Sequence, residues 1–68
     1  MRVDVKLIPA RTRKTEEVPD DATGEVLLKR LGLAVDAHIL VRGETPIPDD
    51  EPLRDGDRLT VIQVASGG

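Results

Sequence analysis

The sequence contains no cysteine and no aromatic residue. Without cysteine there is no disulfide, no thiolate metal site and no cysteine nucleophile, and a small chain without disulfides fits a reducing cytoplasm. Without aromatic rings, the core must consist of valine, leucine and isoleucine, and nucleic-acid bases have nothing to stack on. No apolar run approaches the ~18 residues of a membrane-spanning helix, and Met1–Ile8 does not have the pattern of a signal peptide. We therefore expect a cytoplasmic protein that neither spans a membrane nor binds nucleic acid directly.

The length and the charge of the chain set further limits. Its 68 residues allow one domain, which would bury only about 60% of the surface that the unfolded chain exposes. A body of this size has little room for a deep active-site cleft, and we do not expect an enzyme. The formal net charge is −3, so the basic excess of nucleic-acid binders is missing. We expect a monomer with a folded domain at 1–64 and a flexible C-terminal tail at 65–68.

The first half of the sequence predicts a hairpin followed by a helix. Apolar and charged residues alternate over Arg2–Ile8, which is the period of a strand with one buried face. The polar segment Arg11–Val18 is typical of an exposed partner strand. Thr23 is placed to cap a helix of about eight residues by accepting a hydrogen bond from a first-turn amide, and Gly32 to end it in a left-handed conformation. The apolar face of this helix comprises Val26, Leu27, Leu28 and Leu31.

A third strand is predicted at Ala37–Arg42. We expect Ile39 and Val41 to face the core. The residues of this strand that then face outward are His38, Leu40 and Arg42. Pro46 and Pro48 keep the next stretch from being a central strand, because proline cannot donate a backbone hydrogen bond.

The last strand is predicted at Arg58–Val64, after the turn Asp55-Gly56-Asp57, whose glycine permits a positive φ. We expect Leu59 and Val61 to point into the core. An apolar set then remains on the open face, the side of the sheet that the helix leaves uncovered, and it comprises Leu40, Ile62 and Val64. Contiguous exposed apolar side chains usually mark a partner site, so we expect this set to bind a partner.

The predicted order of elements is strand, strand, helix, strand, loop, strand. Arranged in one sheet, these elements give an α+β domain with the helix across one face. The helical crossover permits the first and last strands to lie side by side in parallel. The expected architecture is a mixed sheet of four to five strands with one short helix packed across it.

Residues suited to catalysis or metal binding are few. His38 is the only histidine and no candidate nucleophile lies near it in sequence, so we interpret it as an exposed surface residue. Asp49–Glu51 lacks calcium-loop spacing and is interpreted as a solvated acidic turn rather than as a metal site. No glycine-rich phosphate loop occurs, and we expect no metal and no bound cofactor. A basic run comprises Arg11, Arg13 and Lys14. We interpret it as a solvated hairpin tip, and the alternative is a contact with an acidic partner.

The remaining chemical feature is the terminal pair Gly67-Gly68. Residues without Cβ atoms can enter a channel too narrow for side chains, and they leave the final carbonyl carbon unhindered. The α-carboxylate is ionised at neutral pH and is a poor electrophile, so it must be activated. Adenylation by a partner enzyme that uses ATP would give a mixed anhydride. Sulfide or a persulfide would convert that anhydride to a thiocarboxylate, and an amine would convert it to an amide.

The stretch Leu53–Gly68 resembles the end of the β-grasp sulfur carriers of molybdopterin and thiamine biosynthesis. In that family Leu-x-Asp-Gly-Asp, an apolar strand and Gly-Gly occur in the order seen here. The helix region Thr23–Leu33 and the strand and turn Ile39–Gly43 are also similar, so the resemblance covers most of the chain. The loop Pro46–Asp50 is similar to that of archaeal ubiquitin-like small modifiers and tRNA-thiolation carriers. The resemblance implies an α+β, ubiquitin-like β-grasp fold.

The resemblance also implies a function at the C terminus. Gly68 would carry the activated acyl group, and Gly67 would thread it into a ubiquitin-activating-type adenylating enzyme. We expect this enzyme to dock on the set Leu40, Ile62 and Val64. The sulfur would pass to an acceptor such as the molybdopterin synthase large subunit, thiazole synthase or a tRNA thiolase. One alternative is a protein modifier joined through Gly68 to target lysines, a role that can coexist with sulfur transfer. A second alternative is a passive β-grasp interaction module.

Overall fold

The computed structural model describes residues 1–64, which form five strands and one α-helix. The strands are β1 (Arg2–Ile8), β2 (Thr12–Glu17), β3 (His38–Arg42), β4 (Thr45–Ile47) and β5 (Arg58–Gln63). The helix α1 (Gly24–Arg30) and a 3₁₀ turn (Val35–Ala37) lie between β2 and β3. All five strands belong to one sheet in the order β2-β1-β5-β3-β4. This is the mixed α+β architecture that the sequence predicts.

The centre of the sheet is β5, which pairs with β1 on one side and β3 on the other. Its pairing with β1 is parallel, from Asp4 opposite Arg58 to Ile8 opposite Ile62. The first and last strands therefore lie side by side in parallel, the arrangement that the helical crossover permits. β4 contains Pro46 and lies at an edge, where a missing backbone N–H costs no ladder hydrogen bond.

The core lies between the sheet and α1. Val3 and Val5 of β1 and Leu59 and Val61 of β5 are buried, which confirms the predicted inward faces of both strands. The helix contributes two leucines to this layer. The complete buried set comprises Val3, Val5, Val18, Ala22, Leu27, Leu28, Leu40, Leu53, Leu59 and Val61.

The N-terminal end of α1 is capped differently from the prediction. Thr23 is the N-cap residue, but its side chain makes no capping hydrogen bond. The free amides bond instead to backbone carbonyls of a loop that follows β4. The Gly24 N–H donates to the Glu51 carbonyl at 3.2 Å, and the Glu25 N–H donates to the Asp49 carbonyl at 2.7 Å. The loop satisfies the orphan donors of the first turn, so the threonine hydroxyl is not needed for this purpose.

The C-terminal end of α1 follows the prediction. Gly32 has a φ of 74°, and its N–H donates to the Lys29 carbonyl at 3.0 Å. The Leu33 N–H then donates to the Leu28 carbonyl at 2.9 Å, so the chain folds back over the last turn. No helix within residues 1–64 has the length and apolar character needed to cross a membrane.

The orientation of β3 is the reverse of the prediction. Leu40 is only 3% exposed and belongs to the core, whereas Ile39 is 43% exposed. The register with β5 explains this, because Leu40 lies opposite the buried Val61 and Ile39 lies opposite Ile62. Gly24, which has no side chain, leaves room beside α1 for the Leu40 side chain.

Candidate functional site

The predicted carrier terminus, Gly67 and Gly68, lies outside the described residues, but the strand that leads to it is described. Gln63, the last residue of β5, pairs with His38 at the start of β3. The Val64 N–H donates to the Ala37 carbonyl at 2.9 Å. The sheet therefore holds the chain in a defined position up to residue 64.

Three isoleucines form a row across the open face of the sheet. Ile62 of β5 lies opposite Ile8 of β1 and opposite Ile39 of β3. Ile39 is 43% exposed, and the other two side chains are half-buried. Val64 is half-buried and follows Ile62 on the same face by strand alternation. We call Ile8, Ile39 and Ile62 the isoleucine row, and Val64 extends it toward the C terminus.

The isoleucine row corrects the predicted docking set. Leu40 is buried against α1, so its expected place on the open face is wrong. Ile62 and Val64 do lie on the open face, and their role in docking stays a prediction. Ile8 and Ile39 were missed. Ile8 occupies an outward position in the alternation of β1 and was recognisable from that pattern, whereas Ile39 required the register of β3.

A cationic depression of about 550 Å³ adjoins the isoleucine row, over β2, β1 and β5. Lys6 lies directly opposite Arg13, and Arg58 lies opposite Asp4. These four residues alternate with the buried positions of their strands and therefore belong to the open face. Among residues 1–64, none of the three cations takes part in an ion pair. The depression thus carries more positive than negative side chains.

The predicted basic run is divided by the hairpin. Arg11 lies in the turn between β1 and β2 with a φ of 55°, and Arg13 reaches the open face beside the depression. Lys14 lies opposite the buried Val5, so alternation directs its side chain to the other face. All three basic residues are exposed, as expected for a solvated hairpin.

The turn Asp55-Gly56-Asp57 attaches the start of β5 to β1. The Arg2 N–H donates to the Asp55 carboxylate at 2.8 Å, and the Gly56 N–H donates to the Arg2 carbonyl at 2.8 Å. Gly56 has a φ of 82°, which a residue with a Cβ rarely adopts. The Asp4 N–H donates to the Asp57 carbonyl at 2.9 Å. The motif therefore extends the contact between β1 and the start of β5 beyond their parallel pairing.

The Arg42 guanidinium joins β3 to the loop before β5. It contacts the Asp57 carboxylate at 3.0 Å, the Glu51 carboxylate at 3.1 Å and the Pro52 carbonyl at 2.8 Å. Burial disfavours the charged guanidinium, yet the hydrogen bonds and charges of Asp57 and Glu51 outweigh burial and raise the pKa of Arg42. Glu51 of the predicted acidic turn therefore has a structural partner.

His38 and the remaining residues of the predicted acidic turn, Asp49 and Asp50, do not line the cationic depression. His38 is half-buried and shares the helix side of the sheet with the buried Leu40, so its predicted place on the outward face of β3 is wrong. Its Nδ1 donates to the Ala34 carbonyl at 2.7 Å. Asp49 and Asp50 are exposed, and residues 1–64 contain no cluster of three or more side chains suited to holding a metal ion.

A helix across a mixed sheet, with the first and last strands parallel at the centre, defines the ubiquitin-like β-grasp class. SAMP1 from Haloferax volcanii is similar over 100% of both chains, with a TM-score of 0.75 and 20% sequence identity. The ubiquitin of Caldiarchaeum subterraneum gives the same TM-score of 0.75 and 20% identity over 100% of this chain and 98% of that one. A ubiquitin-like domain from Arabidopsis thaliana has a TM-score of 0.72 and 16% sequence identity, and the match covers 93% of this chain and 76% of that one.

The chain belongs to the ThiS family, which it matches over residues 5–68. The match begins within β1 and includes the terminal Gly67-Gly68 pair. Comparison with curated proteins gives no significant match. The protein is therefore a small carrier protein of the ThiS family with the ubiquitin-like β-grasp fold, as the sequence resemblance implied.

Proposed function

We propose that this protein is a sulfur carrier whose Gly68 carboxylate is adenylated by a separate ATP-dependent enzyme and then converted to a thiocarboxylate. The observation that carries the proposal is the extent of the family match, which runs to residue 68 and so includes the glycine pair. The central position of β5, which leads to that pair, supports it. A strand paired on both sides and followed by a glycine pair suits delivery of one carbonyl carbon into a narrow channel. We propose the cytoplasm as the compartment.

The proposed chemistry has two steps. A carboxylate oxygen of Gly68 attacks the α-phosphorus of ATP, pyrophosphate leaves, and an acyl adenylate forms. Sulfide then attacks the carbonyl carbon, the bond to the AMP oxygen breaks, and the products are a thiocarboxylate, AMP and a proton. If a persulfide is the donor, a second thiol must reduce the resulting acyl disulfide. Proposed acceptors of the sulfur are the molybdopterin synthase large subunit, thiazole synthase and a tRNA thiolase.

Intact-mass spectrometry of the protein purified from its own host tests the carrier function. We expect a species in which one oxygen is replaced by sulfur. A variant that lacks Gly68 is the control, because it retains residues 1–64 and should show no such species. Absence of the sulfur species in cells that contain the adenylating enzyme would contradict the proposal.

We further propose that the isoleucine row and Val64 dock the adenylating enzyme. This apolar surface lies at the end of the sheet where β5 ends, so an enzyme bound there would lie beside Val64, the last described residue. Contiguous exposed apolar groups favour a partner site over an incidental surface.

Substitutions of the open face test this docking. Ile62→Asp and Val64→Asp should raise the KM for adenylation about tenfold or more, because a charge would be desolvated at the interface. Val26→Asp is the matched control, since Val26 is 38% exposed on α1, away from the open face. Pyrophosphate release measures the rate, and far-UV circular dichroism checks the fold. Unchanged kinetics in folded Ile62→Asp and Val64→Asp would show that docking occurs elsewhere.

A second candidate function is protein modification through an isopeptide bond from Gly68 to target lysines. It is supported by the similarity in fold to the Caldiarchaeum subterraneum ubiquitin and to SAMP1, and it can coexist with sulfur transfer. Proteomic detection of a Gly-Gly remnant on lysines of other proteins would establish it. If neither this remnant nor the thiocarboxylate forms, a passive interaction module is the better description.

A further inference from the structure

The cationic depression has a charge arrangement that disfavours the folded state. Arg13 lies directly opposite Lys6 across the β1–β2 pair, and like charges in this position destabilise a sheet. Neither side chain forms an ion pair within residues 1–64. Arg58 lies one row away opposite Asp4, whose carboxylate accepts a hydrogen bond from Thr15 Oγ1 at 3.1 Å. A local positive excess therefore persists in a chain whose net charge is −3.

The rows of the open face have the spacing of an extended peptide. Lys6 and Ile8 are two residues apart on β1, so their side chains project from one face about 6.6 Å apart. The Lys6 row continues through Arg13 and Thr60, and the next row is the isoleucine row. A segment laid along β1 in an extended conformation repeats its own side chains at the same distance. It can place an anionic group over the first row and an aliphatic group over the second.

We propose that this face binds an extended acidic segment of the adenylating enzyme, in which a carboxylate contacts the cationic depression and an aliphatic side chain two residues away contacts the isoleucine row. The inference rests on the proposed function, because it specifies the chemistry of the enzyme's docking segment. The positive charge of the depression favours a carboxylate, and the isoleucine row favours an aliphatic side chain two residues from it in the bound segment. Docking would also relieve the repulsion between Lys6 and Arg13.

A protein segment fits this surface better than a free phosphate or a nucleic acid does. The backbone of β1 is paired with β2 on one side and with β5 on the other, so its amides do not form an anion-binding nest. The sequence has no aromatic side chain on which a base could stack. The isoleucine row beside the depression is apolar, and a phosphate group would make no favourable contact with it.

The test is calorimetric titration of the full-length chain with the adenylating enzyme of the same organism, at low and high salt. Lys6→Gln/Arg13→Gln removes the facing cations. Arg30→Gln/Arg54→Gln is the matched control, since it changes the net charge equally at exposed positions that do not line the depression. We expect the first variant to raise Kd about tenfold at low salt and to weaken its salt dependence, with the control within about twofold of the parent.

Further measurements separate docking from folding and from the proposed function. The urea midpoint of Lys6→Gln/Arg13→Gln should be unchanged or higher, because the substitution removes a repulsion. If Ile62→Asp abolishes binding while Lys6→Gln/Arg13→Gln leaves Kd unchanged, the acidic segment is refuted and the proposed function stands. Equal effects of the two double variants would also refute it, since net charge alone would then account for the change. Failure of the parent chain to be adenylated would refute both proposals.

Discussion

Replacing Gly24 with alanine should destabilise this protein, although alanine is the better helix former. A Cβ at position 24 would lie 2.5 Å from Leu40 Cδ2 and 3.3 Å from the Asp49 carbonyl oxygen. Leu40 belongs to the core and cannot move without disturbing its neighbours. Helix propensity favours alanine by at most about 1 kcal/mol, whereas overpacking costs about 1–3 kcal/mol. We expect Gly24→Ala to lower the free energy of unfolding by about 1–2 kcal/mol.

Leu40→Ala should be costly for the opposite reason. It removes three carbon groups from a side chain that is 3% exposed, a loss of roughly 2.4 kcal/mol at about 0.8 kcal/mol each. The cavity left behind raises the cost, so we expect about 3 kcal/mol. That is a large part of the roughly 3–10 kcal/mol total for a domain of this length. Ile39→Ala, at a position 43% exposed, is the control and should cost about 1 kcal/mol.

The double variant Gly24→Ala/Leu40→Ala should lose less stability than the two single losses added together. Truncation of Leu40 removes the side-chain atom that obstructs a Cβ at position 24, and the new methyl group partly fills the cavity. We expect a coupling free energy of at least about 1 kcal/mol. Urea unfolding followed by far-UV circular dichroism is the assay, because the chain has no aromatic fluorophore. Losses that add within about 0.5 kcal/mol would refute the argument that these two positions compete for one space.

The remaining predictions concern three backbone and charge features, each measured by urea unfolding. Arg42→Lys should lower the unfolding free energy by about 1–2 kcal/mol, because an ammonium cannot replace the guanidinium's contacts with Asp57 and Glu51. Because its pKa is raised, Arg42 stays charged at neutral and at mildly alkaline pH, and its contribution to stability is the same at both. A difference in the parent's Arg42-dependent unfolding free energy between these two pH values would contradict this reasoning. Gly56→Ala should cost about 1–2 kcal/mol at its φ of 82°, and no loss would show that the turn rearranges. Arg11→Gly should be neutral or stabilising by up to about 1 kcal/mol, since it relieves a positive φ; a clear loss would show that the arginine side chain contributes there.

The strands β1 and β5, whose first buried residues have polar neighbours, were predictable in both position and orientation. In β1 each buried valine has a charged neighbour, so only one face could enter the core. In β5, Arg58 and Thr60 flank Leu59 and give the same signal. The sequence of β3 did not indicate which face is buried, because three apolar residues, Ile39, Leu40 and Val41, follow one another. Its register against β5 settled the orientation.

The helix shows the same division between local and distant information. Gly32 ends α1 through its own backbone conformation, which is a local property. Thr23 had the right side chain for a cap, yet the amides that it was expected to satisfy bond to the carbonyls of Asp49 and Glu51. Those carbonyls lie 24 and 27 residues after the amides that donate to them, and no pattern around Thr23 indicates them.

The sequence by itself determined the order of the predicted elements, the buried faces of β1 and β5, and the glycine pair whose chemistry implied a carrier. Periodicity, turn residues and a short motif carry that information, and all of them act over a few neighbouring residues. Only the tertiary structure decided that Leu40 is buried, that a distant loop caps α1 and that Lys6 faces Arg13 beside the isoleucine row. These features depend on the register between segments far apart in the chain, and that register is set when the whole sheet packs against its helix.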